Sequence, residues 1–272
     1  MKEILVTAIN YACENETYNY AKQFENFTNK DKIVLYIVDN KTSEGSNLQE
    51  RLNEINCDIV YLKPNENLGY LNGCFFGVDK FLEINGYIAN WVVVSNTDIT
   101  YDNNMFYERF LNCHYEDSIW CVGPSVYDTS GIYSNPHYKE RISLKHVNRI
   151  IKCFSNKYLA KSYLFLSKIK SKLGYKNSIK EESQYVYSNH GCFFILKKEF
   201  FEHLGKEKYG ALLYSEESFI AEFILENNKK AFYDNRIEVI HNANLVTGKV
   251  NIKRKAKFIS ESMSYIKRRF YE

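Results

Sequence analysis

Three uninterrupted apolar runs, ILVTAI (4–9), KIVLYIV (32–38) and WVVVSN (91–96), constrain this chain more than any other feature. Short, β-branched and bounded by polar residues, they read as buried strands. A strand that is apolar on both faces must be covered on both, which helices do in parallel sheets built of βαβ units. The intervening segments have that character. Residues 14–27 carry Tyr18, Tyr20, Ala21, Phe24 and Phe27 at near-helical spacing. A helix is expected around 46–56 and a strand at 58–62. GYLNGCFFGVDKFLEIN (69–85) reads as a helix approached through a Gly-rich turn. Two of the apolar runs stop at polar groups, Asp39-Asn40 and Asn96 to Asp98. Ligands of such sheets sit at the carboxyl ends of the strands, so both groups should face one crevice.

With 272 residues, 45% hydrophobic and 25% charged, the chain has the composition of a folded protein and room for one large α/β domain or two small ones. No apolar run approaches the roughly 18 residues needed to cross a bilayer. The opening MKEILVTAIN moves straight into a strand pattern without a signal-peptide core, so a cytoplasmic protein is expected. Seven cysteines are scattered without a C-x-x-C pair, which argues for buried, reduced thiols rather than a zinc site or disulfide framework.

The net charge of +3 hides a strong asymmetry. Residues 139–180 hold twelve Lys/Arg against one acid, Glu140, and 248–272 hold eight against Glu261 and Glu272. An otherwise acidic body therefore carries two basic segments. No nucleic-acid recognition motif accompanies them, so nucleic acid is not an expected partner. The α/β rhythm is lost between 134 and 187, where 158–176 fits an amphipathic helix. It returns in SNHGCFFILKKEFFEHLG (188–205), as strand, turn and helix. LLYSEESFIAEFILENN (212–228) reads as a helix beginning near an acidic pair, and AFYDNRIEVIHNAN (231–244) as one or two short strands ending at His241.

Five stretches, in order, resemble the family 2 glycosyltransferases of GT-A fold, most closely the rhamnosyltransferase-like members. VDNKTSEGS (38–46) is similar to the family's V-D-N-x-S-x-D-G-S loop, and NLGYLNGCFFGV (67–78) to its N-x-G-x-A-x-G-x-N-x-G segment. SNTDI (95–99) stands where the family has L-N-P-D or D-x-D. The 188–205 segment resembles the S-G-A-x-x-x-x-R-R-x-x-F-x-x-x-G acceptor-side stretch. YSEESF (214–219) with VIHNAN (239–244) resembles the E-D helix and the later histidine. The resemblance covers about 1–245. It implies a mostly parallel central sheet flanked by helices, with a basic, partly helical insertion at about 139–185 and a basic helical tail over 246–272.

Singly, each site residue has an ordinary structural reading. Asp98 can cap a loop, His241 can end a strand, and Asp39-Asn40 can form an Asx-turn. Glu216 and Glu217 can be carboxylates favoured by a helix dipole. The resemblance assigns them chemistry instead. Asp98 and His241 become ligands of a divalent cation, Mg²⁺ or Mn²⁺, that neutralises a leaving diphosphate. Asn96 replaces the first Asp of D-x-D, as in the rhamnosyltransferase-like members. Thr7, Asn10, Tyr11, Asp39, Asn40, Asn67, Gly69, Tyr70 and Asn96 become donor contacts, with the amides at the start of the 69–85 helix meeting the donor. His190 and Gly191 fall on the acceptor side. Glu217 becomes the catalytic base, with Glu in place of the family's Asp, and Glu216 is its reserve.

The implied activity is inverting, metal-dependent transfer of a sugar from a UDP- or dTDP-sugar to a hydroxyl of a bacterial surface glycan or lipid-linked glycan. The donated sugar would be a hexosyl or deoxyhexosyl group such as rhamnose, galactose, galactofuranose or an N-acetylhexosamine. Two alternatives stand beside it: a noncatalytic nucleotide- or glycan-binding homologue, and a sugar nucleotidyltransferase, whose Gly-rich, Arg/Lys-bearing N-terminal signature is absent. The 158–176 stretch pairs Tyr163, Leu164, Leu166, Ile169 and Leu173 with Lys161, Lys168, Lys170, Lys172 and Lys176. That pattern suits an interfacial helix on an anionic membrane surface, with 253–270 as a second contact.

Overall fold

The computed structural model describes residues 1–170, 179–242 and 251–272. The chain begins β1 (Ile4–Tyr11), α1 (Glu14–Lys22), β2 (Ile33–Lys41), α2 (Leu48–Asn53), β3 (Ile59–Leu62), α3 (Tyr70–Asn85) and β4 (Trp91–Ser95). The four strands pair in parallel in the order β3-β2-β1-β4. Both faces of this block are covered. Val6, Ala8, Leu35 and Ile37 pack on one side with Tyr20 and Phe24, and Leu5, Tyr36, Val92 and Val94 on the other with Leu71, Phe75 and Phe81 of α3. Double-sided burial is why the strands are continuously apolar.

Beyond β4 come β5 (Ile99–Tyr101), α4 (Phe106–Leu111), β6 (Ile119–Tyr127), α5 (Leu144–Phe154) and α6 (Lys157–Lys170). They are followed by β7 (Gln184–Val186), β8 (Phe193–Lys197), α7 (Lys198–Leu204), α8 (Glu216–Glu226), β9 (Lys230–His241) and α9 (Ile252–Phe270). The sheet continues as β4-β8-β6-β9-β5, and β7 also pairs with β9. β8 is antiparallel to both neighbours, whereas β6 and β9 are parallel to each other and to the first block. The sheet is therefore mostly parallel and flanked by helices, as the sequence predicts.

The 231–244 stretch forms one twelve-residue strand through Ile240 and His241, kinked where the β6 register shifts from Pro124/Asp234 to Ser125/Glu238. Asp234 sustains the kink: its buried carboxylate accepts from the backbone N and the guanidinium of Arg236 and from Tyr115. Ala243 and Asn244 of the predicted VIHNAN motif lie outside the described residues. Four cysteines are buried and Cys57, Cys113 and Cys153 half-buried, all as free thiols.

The basic middle segment folds as α5 and α6, packed against α9. α6 differs from its sequence expectation. Tyr163 and Leu164 turn inward onto Phe154 and Ala160, while Tyr158, Leu159, Phe165, Leu166 and Ile169 form the exposed apolar face. The rest of the predicted 158–176 helix, with Lys172, Leu173 and Lys176, lies outside the described residues. α9 inserts Ala256, Met263 and Ile266 into three separate apolar clusters. Among the described residues no helix is long and apolar enough to cross a membrane.

Candidate functional site

Strand direction alone gathers the site. β1, β2, β4 and β9 all end at one edge of the sheet, and the antiparallel β5 and β8 begin there. Tyr11, Asn40, Asn96 to Asp98, His190 to Cys192 and His241 therefore meet at the same edge. A cleft of about 350 Å³ opens there. Its walls include Tyr11, Asn40, Asn67, Gly69, Tyr70, Asn96, Asp98, His190, Gly191, Glu216, Glu217 and His241, all anticipated from the sequence.

Thr7, Asn10 and Asp39 are not among the lining residues, because their side chains are committed internally. Thr7 donates to Val93 O (3.1 Å), tying β1 to β4. Asn10 donates to Asp39 Oδ1 (2.7 Å) and accepts from Thr17 (2.9 Å), joining β1, β2 and α1. Asp39 also accepts from Thr42 and Tyr61. Asn40 performs a double task. Its amide donates to Gly69 O (2.7 Å) and accepts from Leu68 N (3.2 Å), so the loop before α3 is held to the end of β2.

That loop has one steric requirement. Gly69 has φ of +79°, and a Cβ there would lie 2.1 Å from Leu212 O. Leu212 O also accepts from Tyr70 N (3.3 Å). The first amide of α3, expected to meet the donor, is thus occupied by Leu212, whose segment lines the cleft through Tyr214.

Asp98 precedes β5 and is pinned by Asn242 N donating to its carbonyl (2.9 Å), next to the Ile99/His241 pair. Its side chain is only 9% exposed. His241 Nε2 stands 3.3 Å from Asp98 Oδ1, yet that oxygen receives no well-formed hydrogen bond. A buried carboxylate oxygen without a donor is costly unless a cation completes it. The Nε2 and Oδ1 pair suits a divalent ion that accepts both imidazole and carboxylate. His190, Cys192 and His241 also bring ligand atoms within 4.8 Å of one another. Within that group His241 is the available ligand. His190 Nδ1 accepts from Cys192 N (3.2 Å), which leaves the ring proton on Nε2 as a donor. Burial, then the neighbouring His241 and His137, lowers the His190 pKa to about 3, keeping it neutral. Burial and then Asp98 push the Cys192 thiol well up.

The carboxylates arrive on a strained turn. Tyr214 (φ 70°) and Ser215 (φ 64°) are consecutive non-glycine residues in the left-handed region, at a cost of about 1–3 kcal/mol each. Tyr209 OH donates to Tyr214 O, and Ser215 Oγ meets Ser262 Oγ of α9 at 2.9 Å, both holding the turn. Gly191 faces Glu217: a Cβ would lie 3.1 Å from Oε2, so the glycine gives the carboxylate room. Glu216 is 7% exposed, and burial followed by the Glu217 charge raises its pKa to about 8. It is predominantly protonated at neutral pH, while Glu217 is half-exposed in the cleft.

The buried Glu222 anchors the helix below. It accepts from Arg141 (3.0 and 2.7 Å), Tyr187 (2.8 Å) and Tyr271 (2.7 Å), tying α8 to the middle segment and to the C-terminus.

Four buried polar atoms without a partner, Tyr70 OH, Asp98 Oδ1, His137 Nδ1 and Tyr214 OH, all belong to residues lining this cleft. They are four of nine such atoms among the described residues, and a polar ligand in the cleft would supply them with partners. Sequence reasoning missed His137, Leu212 to Tyr214, and α9's Arg254 and Phe258. Arg254 is the only Lys or Arg among the described lining residues. Its signal was the basic 248–272 segment, which reads equally well as a surface.

The fold has close parallels among solved structures. A mannosyltransferase from Pyrobaculum calidifontis, PcManGT, in complex with GDP-Man and Mn²⁺, superposes with a TM-score of 0.57 over 90% of this chain at 12% identity. GalNAc-T7 with UDP, GalNAc and Mn²⁺ superposes with a TM-score of 0.59 over 89% at 13% identity. The chain has the GT-A fold. It spans only 58% and 44% of those two proteins. Its sequence matches no family model and no curated protein. At such identities the GT-A likeness concerns architecture, and the chemistry rests on the residues of the cleft.

Proposed function

We propose that this chain is a metal-dependent, inverting glycosyltransferase of the family 2, rhamnosyltransferase-like kind. It would move a hexosyl or deoxyhexosyl unit from a UDP- or dTDP-sugar to a hydroxyl of a bacterial surface glycan. The observation that carries this reading is the single cleft in which Asp98 and His241 face a half-exposed carboxylate, Glu217, amid four unpartnered polar atoms. The GT-A fold and the nucleotide-sugar, nucleotide and Mn²⁺ in the two similar structures support it.

Asp98 and His241 would hold a divalent cation, Mg²⁺ or Mn²⁺. When bound, it draws off negative charge from the leaving diphosphate. Tyr70 and Tyr214 can donate hydroxyls to the donor, and Arg254 offers a charge-assisted contact to its phosphates. Tyr11, Asn40, Asn67, Gly69 and Asn96 line the donor side. Asp39 and Asn10 shape it from behind, and Thr7 fixes the strands beneath. Glu217 takes the proton of the acceptor hydroxyl as that oxygen bonds to the anomeric carbon and the bond to diphosphate breaks. Glu216, protonated at neutral pH, is the poorer base there. His190 Nε2–H and the Gly191 backbone lie on the acceptor side.

The deciding experiment is a thermal-shift screen of UDP, dTDP, GDP and their sugars with and without Mn²⁺, followed by transfer assays. Ligand binding raises the melting temperature once concentration exceeds Kd. Stabilisation by a nucleoside diphosphate that requires Mn²⁺, with turnover of its sugar, supports the proposal. Stabilisation without any turnover or donor hydrolysis favours the noncatalytic reading, and no stabilisation overturns both.

We further propose cytoplasmic attachment to an anionic membrane through α6, supported by its exposed Tyr158, Leu159, Phe165, Leu166 and Ile169 beside Lys157 and Lys161. Co-sedimentation should require anionic vesicles and weaken with salt. Equal pelleting with neutral vesicles, or none with anionic ones at low salt, removes this attachment.

A further inference from the structure

A second cavity, of about 240 Å³, lies on the other side of the turn that carries the carboxylates. The two cavities share His137, Tyr214, Glu216 and Glu217, so this turn is the wall between them. The character of the second cavity changes along its length. At the shared wall it offers carboxylates, Ser215 and Ser218. Farther out it is walled by Ile142, Ile150, Phe154, Ile259 and Met263. Between these ends stand two rings, Tyr138 and His146, with centroids 6.1 Å apart and edge to face. The apolar end stops at Phe154, against the corner where α5 gives way to α6.

An in-line displacement brings the attacking oxygen to the anomeric carbon from the side opposite the leaving group. Asp98 and His241 line the first cleft only, whereas Glu217 lines both cavities at the wall they share. A hydroxyl held in the second cavity therefore has Glu217 beside it, on the side of the wall away from Asp98 and His241. We propose that this second cavity is the acceptor site and that it selects an amphiphilic acceptor: a sugar hydroxyl at the carboxylate end, followed by an apolar aglycone along Ile150, Phe154 and Ile259. This rests on the glycosyltransferase reading for the role of Glu217, whereas the cavity's preference for an apolar tail rests on its walls alone. The aromatic pair suits a sugar ring, whose C–H face packs on π surfaces, and the aliphatic end rewards each methylene removed from water. The cavity is built by the middle segment and α9, the two basic segments that strand periodicity leaves without a role.

The test uses the full-length protein and two sets of probes, methyl and octyl glycosides of glucose, galactose, rhamnose and N-acetylglucosamine, below their micellar concentrations. Saturation-transfer NMR and titration measure binding with UDP or dTDP and Mn²⁺ present. The octyl glycoside of at least one sugar should bind about tenfold or more tighter than its methyl counterpart. Ile259→Trp, which fills the cavity, should abolish that advantage. Phe165→Ser, on the exposed face of α6, should leave it intact. Equal affinity of methyl and octyl probes overturns the proposal, as does an octyl advantage that survives Ile259→Trp or disappears with Phe165→Ser. Met263→Phe, a milder filling, repeats the test if Ile259→Trp fails to fold. The nucleotide-dependent thermal shift is read on the same samples. Loss of that shift with the octyl preference retained strikes the glycosyltransferase reading, and the reverse strikes this one.

Discussion

The two walls of the cleft are made in different ways. On one side, Tyr11, Asn40 and Asn96 stand at the ends of parallel strands whose pairing and double-sided burial position them directly. On the other, Glu216 and Glu217 open α8 directly after a turn with two residues in the left-handed region, held by Tyr209, Ser262 and the Glu222 anchor. The first wall is fixed by backbone hydrogen bonds that no side chain can remove. The second depends on individual side chains from four distant segments. A strand-end substitution should therefore alter chemistry and spare the fold, whereas a substitution behind the turn should alter both.

The largest effect tests the first half of that contrast. Asp98→Ala and His241→Ala should each reduce transfer to background and abolish Mn²⁺-dependent nucleotide binding. The melting temperature without ligand should stay within about 2 °C, since neither side chain supports a core contact. A parallel collapse of stability would show that the strand ends are not self-supporting.

Glu217→Gln comes next. Turnover should fall by roughly 10²–10⁴ with nucleotide binding unchanged, because the base serves the acceptor. If Glu217→Gln stays active while Glu216→Gln does not, the base is one residue earlier, and activity should then climb as pH passes about 8.

Glu222→Ala probes the second wall. It removes the shared acceptor of Arg141, Tyr187 and Tyr271 and should cost roughly 2–4 kcal/mol. Turnover should fall along with the melting temperature, a coupling that Asp98→Ala must not show.

The last effect is a slope. Glu216 holds a proton in the folded state up to about pH 8, against about 4.5 when unfolded. The stability it contributes is complete below pH 4.5 and is lost as pH rises through 8. Melting curves from pH 5 to 9 should therefore fall more steeply for the parent than for Glu216→Gln, the difference building up to about pH 8 and levelling off above it. Identical slopes would mean that the carboxyl is not buried as described.

Legibility in the sequence followed the same division. The β-branched runs of β1, β2 and β4 announced themselves, and so did the polar residues that end them. The residues behind the wall were harder to sort: Thr7, Asn10 and Asp39 sit at the right strand ends but spend their hydrogen bonds on Val93, Thr17, Thr42 and Tyr61. Spacing reveals where a polar residue lies along a strand, not which neighbour will claim it. The sequence left open whether β9 is one strand or two because Asn235-Arg236 interrupts its apolar pattern; Asp234, and Asn235 through Ser183 and Glu181, hold the interruption in one strand. The approach of Arg254 and Phe258 to the cleft had only the basic 248–272 segment as its signature. A basic amphipathic helix reads the same whether its apolar face meets α5 or a lipid.

The reversed strand β8 has a consequence in time rather than in space. It joins the two parallel blocks by pairing Trp91 with Lys197 and Cys121 with Leu196, while Ile119 must find Lys230, spans of roughly 75 to 110 residues. The first four strands carry Tyr11, Asn40 and Asn96 at their ends, but none of the residues of the opposite wall. Asp98, His190 and His241 come together only when β8 and β9 are seated. Completion of the site therefore waits on the longest-range pairings in the sheet.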